Sequence, residues 1–165
     1  MFVVSSHDEI PAAARALIGV ERVRRHEVTV RDIRRFAQAI GATDAIHFDE
    51  DYARTTRHGS VVAPPLFCQT MTYDDVSPDL LPPDGSPTEL DLPLPAQRTV
   101  GGSSDYTVHR LARAGETITV TSRISDIYTR QGRSGPLWMI VVETRFDDAD
   151  GRPVASEAAT YIKRV

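Results

Sequence analysis

TVRDIRRFAQAIGATDAIHFD, running from Thr29 to Asp49, is the stretch on which the fold turns. Ile33, Phe36, Ala37 and Ile40 fall at i, i+3, i+4 and i+7, which is one apolar face of a helix. Thr29 is placed to cap its N-terminus, with Asp32 three residues on as a weak capping box. Gly41 stands just past the last apolar position, where helices commonly end in a left-handed residue. A shorter helix is predicted from about Asp49 through Tyr52 and Ala53 to about Arg57, stopped by Gly59.

Upstream, residues 9–18 read as a short helix, with Pro11 early and Gly19 at the exit. Part of Val20–Val30 reads as a strand, because Val23, Val28 and Val30 sit among polar neighbours. Downstream, Pro64-Pro65 opens a helix, or its first turns, over Leu66–Tyr73. Pro78, Pro82, Pro83, Pro87, Pro93 and Pro95 make Ser77–Pro95 a loop. The C-terminal part changes character, with strands predicted at Arg98–Leu111, Thr117–Tyr128, Leu137–Phe146 and Pro153–Lys163. Their connections are a turn at Ala114-Gly115-Glu116, a hairpin tip over Gln131–Gly135 and an acidic turn over Asp147–Gly151. Ile118, Val120, Ile124 and Ile127 alternate, but not in one unbroken phase. A helix-rich first half followed by successive strands implies an α+β domain, with an antiparallel sheet packed on one long helix.

Composition bounds the function. The chain has 165 residues, 41% hydrophobic and 25% charged, enough for one folded domain over residues 1–165. Net charge is −4 and the 19 basic residues are scattered, which argues against a nucleic-acid partner. No apolar run approaches the ~20 residues that cross a bilayer, so no membrane association is expected. Cys68 is the single cysteine and the N-terminus has no secretory pattern, so a cytoplasmic location is expected. The five histidines are far apart, with no CxxC, HxH or HExxH spacing, so no metal is expected. Without GxGxxG or a P-loop, no nucleotide cofactor is expected either.

Two stretches carry a resemblance to a known family. One runs from Asp32 through Gly41-Ala42-Thr43-Asp44-Ala45-Ile46-His47 to Val61-Val62-Ala63-Pro64-Pro65-Leu66-Phe67. The other is Arg113-Ala114-Gly115-Glu116-Thr117-Ile118-Thr119-Val120, leading to the strands that end near Tyr161. Over residues 22–164 the chain resembles the MaoC-like hydratase/dehydratase family, and more narrowly its FAS1-like, or MaoC N-terminal, dehydratase branch. The resemblance implies a hot-dog fold in a dimer of hot dogs. It implies acyl thioesters of coenzyme A or an acyl carrier protein as substrates. It also implies reversible water addition to a 2-enoyl group, the reverse of 3-hydroxyacyl dehydration, with no cofactor.

That reaction needs a base to activate water and an acid for the α-carbon. It also needs a donor for the thioester oxygen as charge builds there. Catalytic members supply these from G-D-x-N-P-x-H and from a glycine amide in an A-H-G corner. On this chain the pattern's Gly is Gly41 and its His is His47, while Ala42 stands at the Asp, Asp44 at the Asn and Ala45 at the Pro. The corner reads Ala63-Pro64-Pro65-Leu66, so the donor glycine falls at Pro65, which has no N–H. His47 and Asp44 are therefore the expected catalytic residues, with Asp44 as a replacement carboxylate partner for His47. Ala63, Pro64, Leu66 and Phe67 are the expected substrate-binding corner, where the Leu66 amide remains a donor.

Three functions follow from these residues. The first is an acyl-thioester hydratase/dehydratase that works through His47. The second, motivated by Ala42 and Pro65, is a non-catalytic acyl-binding subunit of a heterodimer with a catalytic MaoC-like partner. The third is a hot-dog thioesterase, for which Asp44, Asp49 and Glu50 are available carboxylates. Ser77–Pro95 is expected over the mouth of an acyl tunnel. The basic spots at Arg54-Arg57-His58 and Arg130-Arg133 are candidate contacts for a carrier's phosphates. Cys68 is expected to be a buried core residue, and Trp138 a core or dimer-interface residue.

Overall fold

The computed structural model describes residues 6, 7, 10–73, 75–84, 86, 90–96, 98–133 and 135–165. The extreme N-terminus, and within the expected loop and hairpin tip Pro87 and Ser134, lie outside the described residues.

The helix predicted from the opening stretch is α2, Val30–Ala39, capped by the Thr29 hydroxyl, which accepts from the Asp32 N–H. At its other end Gly41 takes φ +72°. There the Ala42 N–H bonds back to the Ala37 carbonyl at 2.9 Å and the Gly41 N–H to the Gln38 carbonyl at 3.2 Å. This pair of bonds is a Schellman stop, and it turns the chain sharply toward His47. Thr29→Ala removes the acceptor for a first-turn amide and is expected to cost about 1 kcal/mol, read as a lower urea midpoint. An unchanged midpoint would show that the first turn is held by other contacts.

The remaining helical pieces are short: α1, Ala12–Arg15, and α3, Glu50–Thr55. Among the described residues, 3₁₀ turns occupy Ala45–His47, Phe67–Thr72 and Pro78–Leu80. The helix expected over 9–18 is thus a single turn, because Pro11 sits at the cap and Leu17 and Ile18 turn away to meet the sheet. The segment after Pro64-Pro65 tightens into 3₁₀ rather than α geometry. Its Phe67, Cys68 and Met71 are all buried, more deeply set than α2, which buries only Ile33 and Ala37.

Five antiparallel strands form one sheet: β1, Glu21–Glu27; β2, Arg98–Val108; β3, Thr117–Gly132; β4, Gly135–Asp147; and β5, Pro153–Arg164. Their order is β1-β3-β4-β5-β2, so β1 and β2 are the edges. The broken phase of β3 is a bulge between Ile124 and Asp126, which returns Ile127 to the face of Ile118 and Ile124. A second register shift in β2 falls at Gly101–Ser103, where a Cβ on Gly102 would lie 2.8 Å from the Thr160 carbonyl oxygen.

One face of this sheet carries two apolar clusters. The first packs Ile118, Val120, Phe146 and Val154 against Ile33 of α2, Ala53 of α3, Val61, Ala63 and the Phe67–Met71 turn. Phe36 meets Phe67 edge-on at 5.7 Å, which seats α2 on that turn. The second packs Ile124, Ile127, Trp138, Ile140 and Val142 under Ile10, Ala14, Leu90, Leu92 and Ala96. The loop expected over residues 77–95 therefore covers the far half of the sheet with buried leucines. Ser122 and Thr144, paired across β3 and β4 and both buried, separate the two clusters. The arrangement is the α+β sheet around a helical filling that the sequence predicts. Among the described residues no helix is long and apolar enough to cross a membrane.

Candidate functional site

His47 follows from α2 in a short causal chain. The Schellman stop reverses the backbone, and Asp44 caps the next turn by accepting from the Ile46 N–H at 3.1 Å. Asp49 caps α3 immediately after, accepting from the Asp51 and Tyr52 N–H groups at 3.0 Å each. Between these two caps the His47 side chain is turned inward, and the residue keeps 8% of its surface. Its Nδ1 lies 2.7 Å from the Val62 carbonyl oxygen. A carbonyl only accepts, so Nδ1 carries the proton and Nε2 is left as the basic nitrogen of the neutral ring.

The carbonyl that orients His47 is itself clamped. The Val62 N–H donates to the Ile46 carbonyl at 3.4 Å, the Ala63 N–H to Ala112 at 2.8 Å and the Ala114 N–H to Val61 at 3.0 Å. Gly115, at φ +87°, donates to the Val28 carbonyl, and Val28 donates back to Glu116, both at 2.8 Å. The Arg113-Ala114-Gly115-Glu116 turn thereby ties the base of α2 to the Val61–Ala63 segment. Both segments are legible in the sequence, but the bonds by which one holds the other are not. No local pattern marks a main-chain carbonyl as the partner of a side chain fifteen positions earlier.

Arg110 extends the clamp. Its guanidinium donates to Glu116 at 2.9 Å and to Asp148 at 3.0 Å, joining the β2–β3 and β4–β5 connections. The Arg152 and Asp150 N–H groups and the Arg110 and Arg152 guanidiniums hold the Asp148 carboxyl down at about 2. A carboxylate depressed in the folded state stabilises it above the ordinary value of 3.8, and that contribution is lost as pH falls through about 2. Asp148→Asn is therefore expected to flatten the fall of the urea midpoint between about pH 5 and about pH 2. Parallel pH curves for the two proteins would assign the acid sensitivity elsewhere.

The other expected residues are placed as follows. The Asp44 carboxylate is exposed and occupied with its cap, and its main-chain carbonyl, not its side chain, accepts from the His47 N–H. Glu50 pairs with Arg34 and Arg54. Ala63 and Pro64 are buried, Phe67 is buried in the core, and Leu66 remains 48% exposed at the head of the 3₁₀ turn. The Leu66 N–H donates to no acceptor among the described residues, and Pro65 beside it is exposed. The Pro64 carbonyl is taken by Phe67 N–H at 3.0 Å. The structure thus brings His47 and Val62 together, with Ala63-Pro64-Pro65-Leu66 leading directly off the clamped segment.

Cys68 is in the core, where burial pushes its thiol up to about 11, against the pull of the neighbouring Tyr106 hydroxyl. Such a thiol is a packing group rather than a nucleophile. Trp138 is likewise buried in the second cluster. The Arg130 guanidinium stacks on Tyr128 at 5.2 Å, and Arg54 pairs with Asp51 and Glu50, so both are engaged within the fold. Among the described residues no three His, Cys, Asp or Glu side chains converge on a common point.

Comparison with known proteins agrees with this geometry. Residues 16–157 match the model of the family described as FAS1-like, dehydratase domain region. The UPF0336 protein of Clavibacter michiganensis subsp. michiganensis is 32% identical over 155 residues, covering 94% of this chain and 90% of its own. Among solved structures, the MaoC-like dehydratase from Rhodospirillum rubrum superposes with a TM-score of 0.63 at 23% identity, over 89% of this chain and 92% of that one. The C-terminally truncated HadBC (3R-hydroxyacyl-ACP dehydratase) complex from Mycobacterium tuberculosis gives 0.66 at 19% identity, over 88% and 96%. An antiparallel sheet in the order β1-β3-β4-β5-β2, a helix–turn–histidine segment locked by the Arg113–Glu116 turn, and a family match across most of the chain lead to one assignment: this protein has a hot-dog fold and belongs to the family described as FAS1-like, dehydratase domain region.

Proposed function

We propose that the chain is a subunit of an acyl-thioester hydratase/dehydratase, acting on a 2-enoyl or 3-hydroxyacyl group carried by coenzyme A or an acyl carrier protein. The observation that carries this reading is the His47 imidazole, shielded from solvent and fixed in one tautomer by the Val62 carbonyl. That tautomer suits proton transfer at Nε2. The ring can take a proton from water as its oxygen adds to the β-carbon and pass that proton to the α-carbon; in dehydration it takes the α-proton and gives it to the departing hydroxyl. The Leu66 N–H is the nearest main-chain donor in sequence to the position where Pro65 has none, and it stands in for the oxyanion donor.

A second reading has its own support. With Ala42 at the family's Asp position and Asp44 turned to its cap, His47 has no carboxylate partner among the described residues. A chain in that condition fits a two-subunit enzyme in which this copy shapes the acyl site and a MaoC-like partner supplies the complete dyad. The edge strand β2, largely exposed along its length, is the surface on which such a partner, or a second copy, is expected to pair. The carboxylates that a thioesterase would need, Asp44, Asp49 and Glu50, are all engaged as caps or ion pairs, so nothing in the geometry favours hydrolysis.

The test is the loss of enoyl-thioester absorbance on adding purified protein, alone and together with a co-encoded MaoC-like chain. Hydration in either sample supports the proposal. Release of free thiol without hydration, or no reaction in both samples, would overturn it.

A further inference from the structure

The segment that orients His47 also borders a feature the proton chemistry does not use. Val62 pairs across an antiparallel bridge with Arg113. Arg113 lines a cleft of about 420 Å³ with Arg57, His58, Val108, His109 and Arg110. No Asp or Glu lines this cleft. Arg110 is neutralised from behind by Glu116 and Asp148, but the others are not. The Arg57 guanidinium donates to His58 Nε2 at 3.2 Å, and His109 Nε2 lies 3.3 Å from the Ser156 hydroxyl. The Arg113 guanidinium has no carboxylate partner among the described residues. Burial, then Arg57, then Arg113 lower the affinity of His58 for a proton.

The Arg57 and Arg113 guanidiniums line one cleft with no carboxylate in its wall, so an anion seated between them would offset their charge. Guanidinium forks match phosphate oxygens in pairs, and His58 and His109 add further N–H donors. Val108, 39% exposed, gives the cleft an apolar wall for the chain attached to such a group.

We infer that this cleft binds the phosphate end of the pantetheine arm that carries the acyl thioester, through Arg57 and Arg113, with His58 and His109 alongside. The inference rests on the acyl-thioester reading for the identity of the arm. The Val62–Arg113 pairing joins the anchor and the His47 support through main-chain hydrogen bonds. Binding the phosphate there would fix the arm relative to the reacting carbon.

Isothermal titration tests it directly with pantetheine, 4′-phosphopantetheine, dephospho-coenzyme A and coenzyme A. The expected result is that 4′-phosphopantetheine binds at least about tenfold more tightly than pantetheine, a gap that narrows with added salt. Arg57→Ala/Arg113→Ala closes the gap while pantetheine binding stays as it was, and Arg113→Lys restores part of it. Tighter binding of coenzyme A than of dephospho-coenzyme A assigns the cleft to the nucleotide's 3′-phosphate. Equal binding of those two assigns it to a phosphate nearer the arm. Both arginines are exposed, so the thermal midpoints of the variants should match wild type. Equal affinity for pantetheine and 4′-phosphopantetheine, or unchanged binding by the double variant, would overturn the inference. Hydration of a phosphate-free N-acetylcysteamine enoyl thioester separates the two ideas. If it depends on His47 while phosphate binding is absent, the cleft assignment alone falls. If phosphate binds through the arginines and no thioester is turned over, the reaction assignment alone falls.

Discussion

His47→Ala is expected to lower enoyl-thioester hydration by about 10²–10⁴-fold, the usual contribution of a positioned acid/base group. Alanine also strands the buried Val62 carbonyl, so part of the loss would come from local loosening. His47→Asn separates these effects, because its amide N–H can still donate to the Val62 oxygen while no group remains to carry a proton. The two variants should be equally inactive, with Asn nearer to wild type in thermal midpoint. The assay is run with the chain alone and with a co-encoded partner. Full activity of His47→Asn in the paired sample would remove His47 from the chemistry and make this chain the acyl-positioning half. Equal loss in both samples would make it a proton-transfer residue in its own right.

Phe146→Ala should produce the largest loss of stability. Phe146 is fully buried and heads the largest such side chains, packed with Ile118, Val120 and Val154 and tilted against Tyr106 at 6.2 Å. Truncating a buried phenylalanine costs about 3–5 kcal/mol in transfer and cavity terms. Against a typical total of ~5–15 kcal/mol, that places the variant near or below the unfolding threshold at 37 °C. Urea denaturation should show it directly. Phe146→Leu should fall between wild type and Ala, because it leaves a smaller void. Val23→Ala, on the edge strand β1 and 60% exposed, serves as the control and should stay within about 0.5 kcal/mol of wild type. A Phe146→Ala loss under about 1 kcal/mol would mean that the Phe67–Thr72 turn collapses into the space, and that the cluster is softer than its packing indicates.

Much of the fold was legible because it is written in short-range pattern. The i, i+3, i+4, i+7 face from Ile33 to Ile40, the Thr29 cap and the Gly41 stop all depend on residues within a few positions of one another, and α2 appears where they place it. The β3–β4 and β4–β5 pairings were readable for the same reason, since alternation and turn residues are local. What misled was also local. The nine-to-eighteen segment has helical composition, yet Leu17 and Ile18 gain more from packing on the second cluster than from another helical turn. The 3₁₀ geometry of Phe67–Thr72 follows from fitting three buried side chains between α2 and the sheet, a demand that propensity does not contain.

The sequence by itself determined which residue types are available along the stretch that carries the resemblance: Ala42, Asp44, His47 and Pro65. It determined the α2 helix and the order of strands, because periodicity and turn chemistry act over a few residues. Only the tertiary structure decided what those residues face. The Val62 carbonyl fixes the His47 tautomer, and Arg113 comes to stand beside Arg57, about a third of the chain away. Each of those facts is a hydrogen bond or a charge proximity between segments distant in sequence. Such contacts are set by sheet register and core packing, and no window of sequence holds both partners.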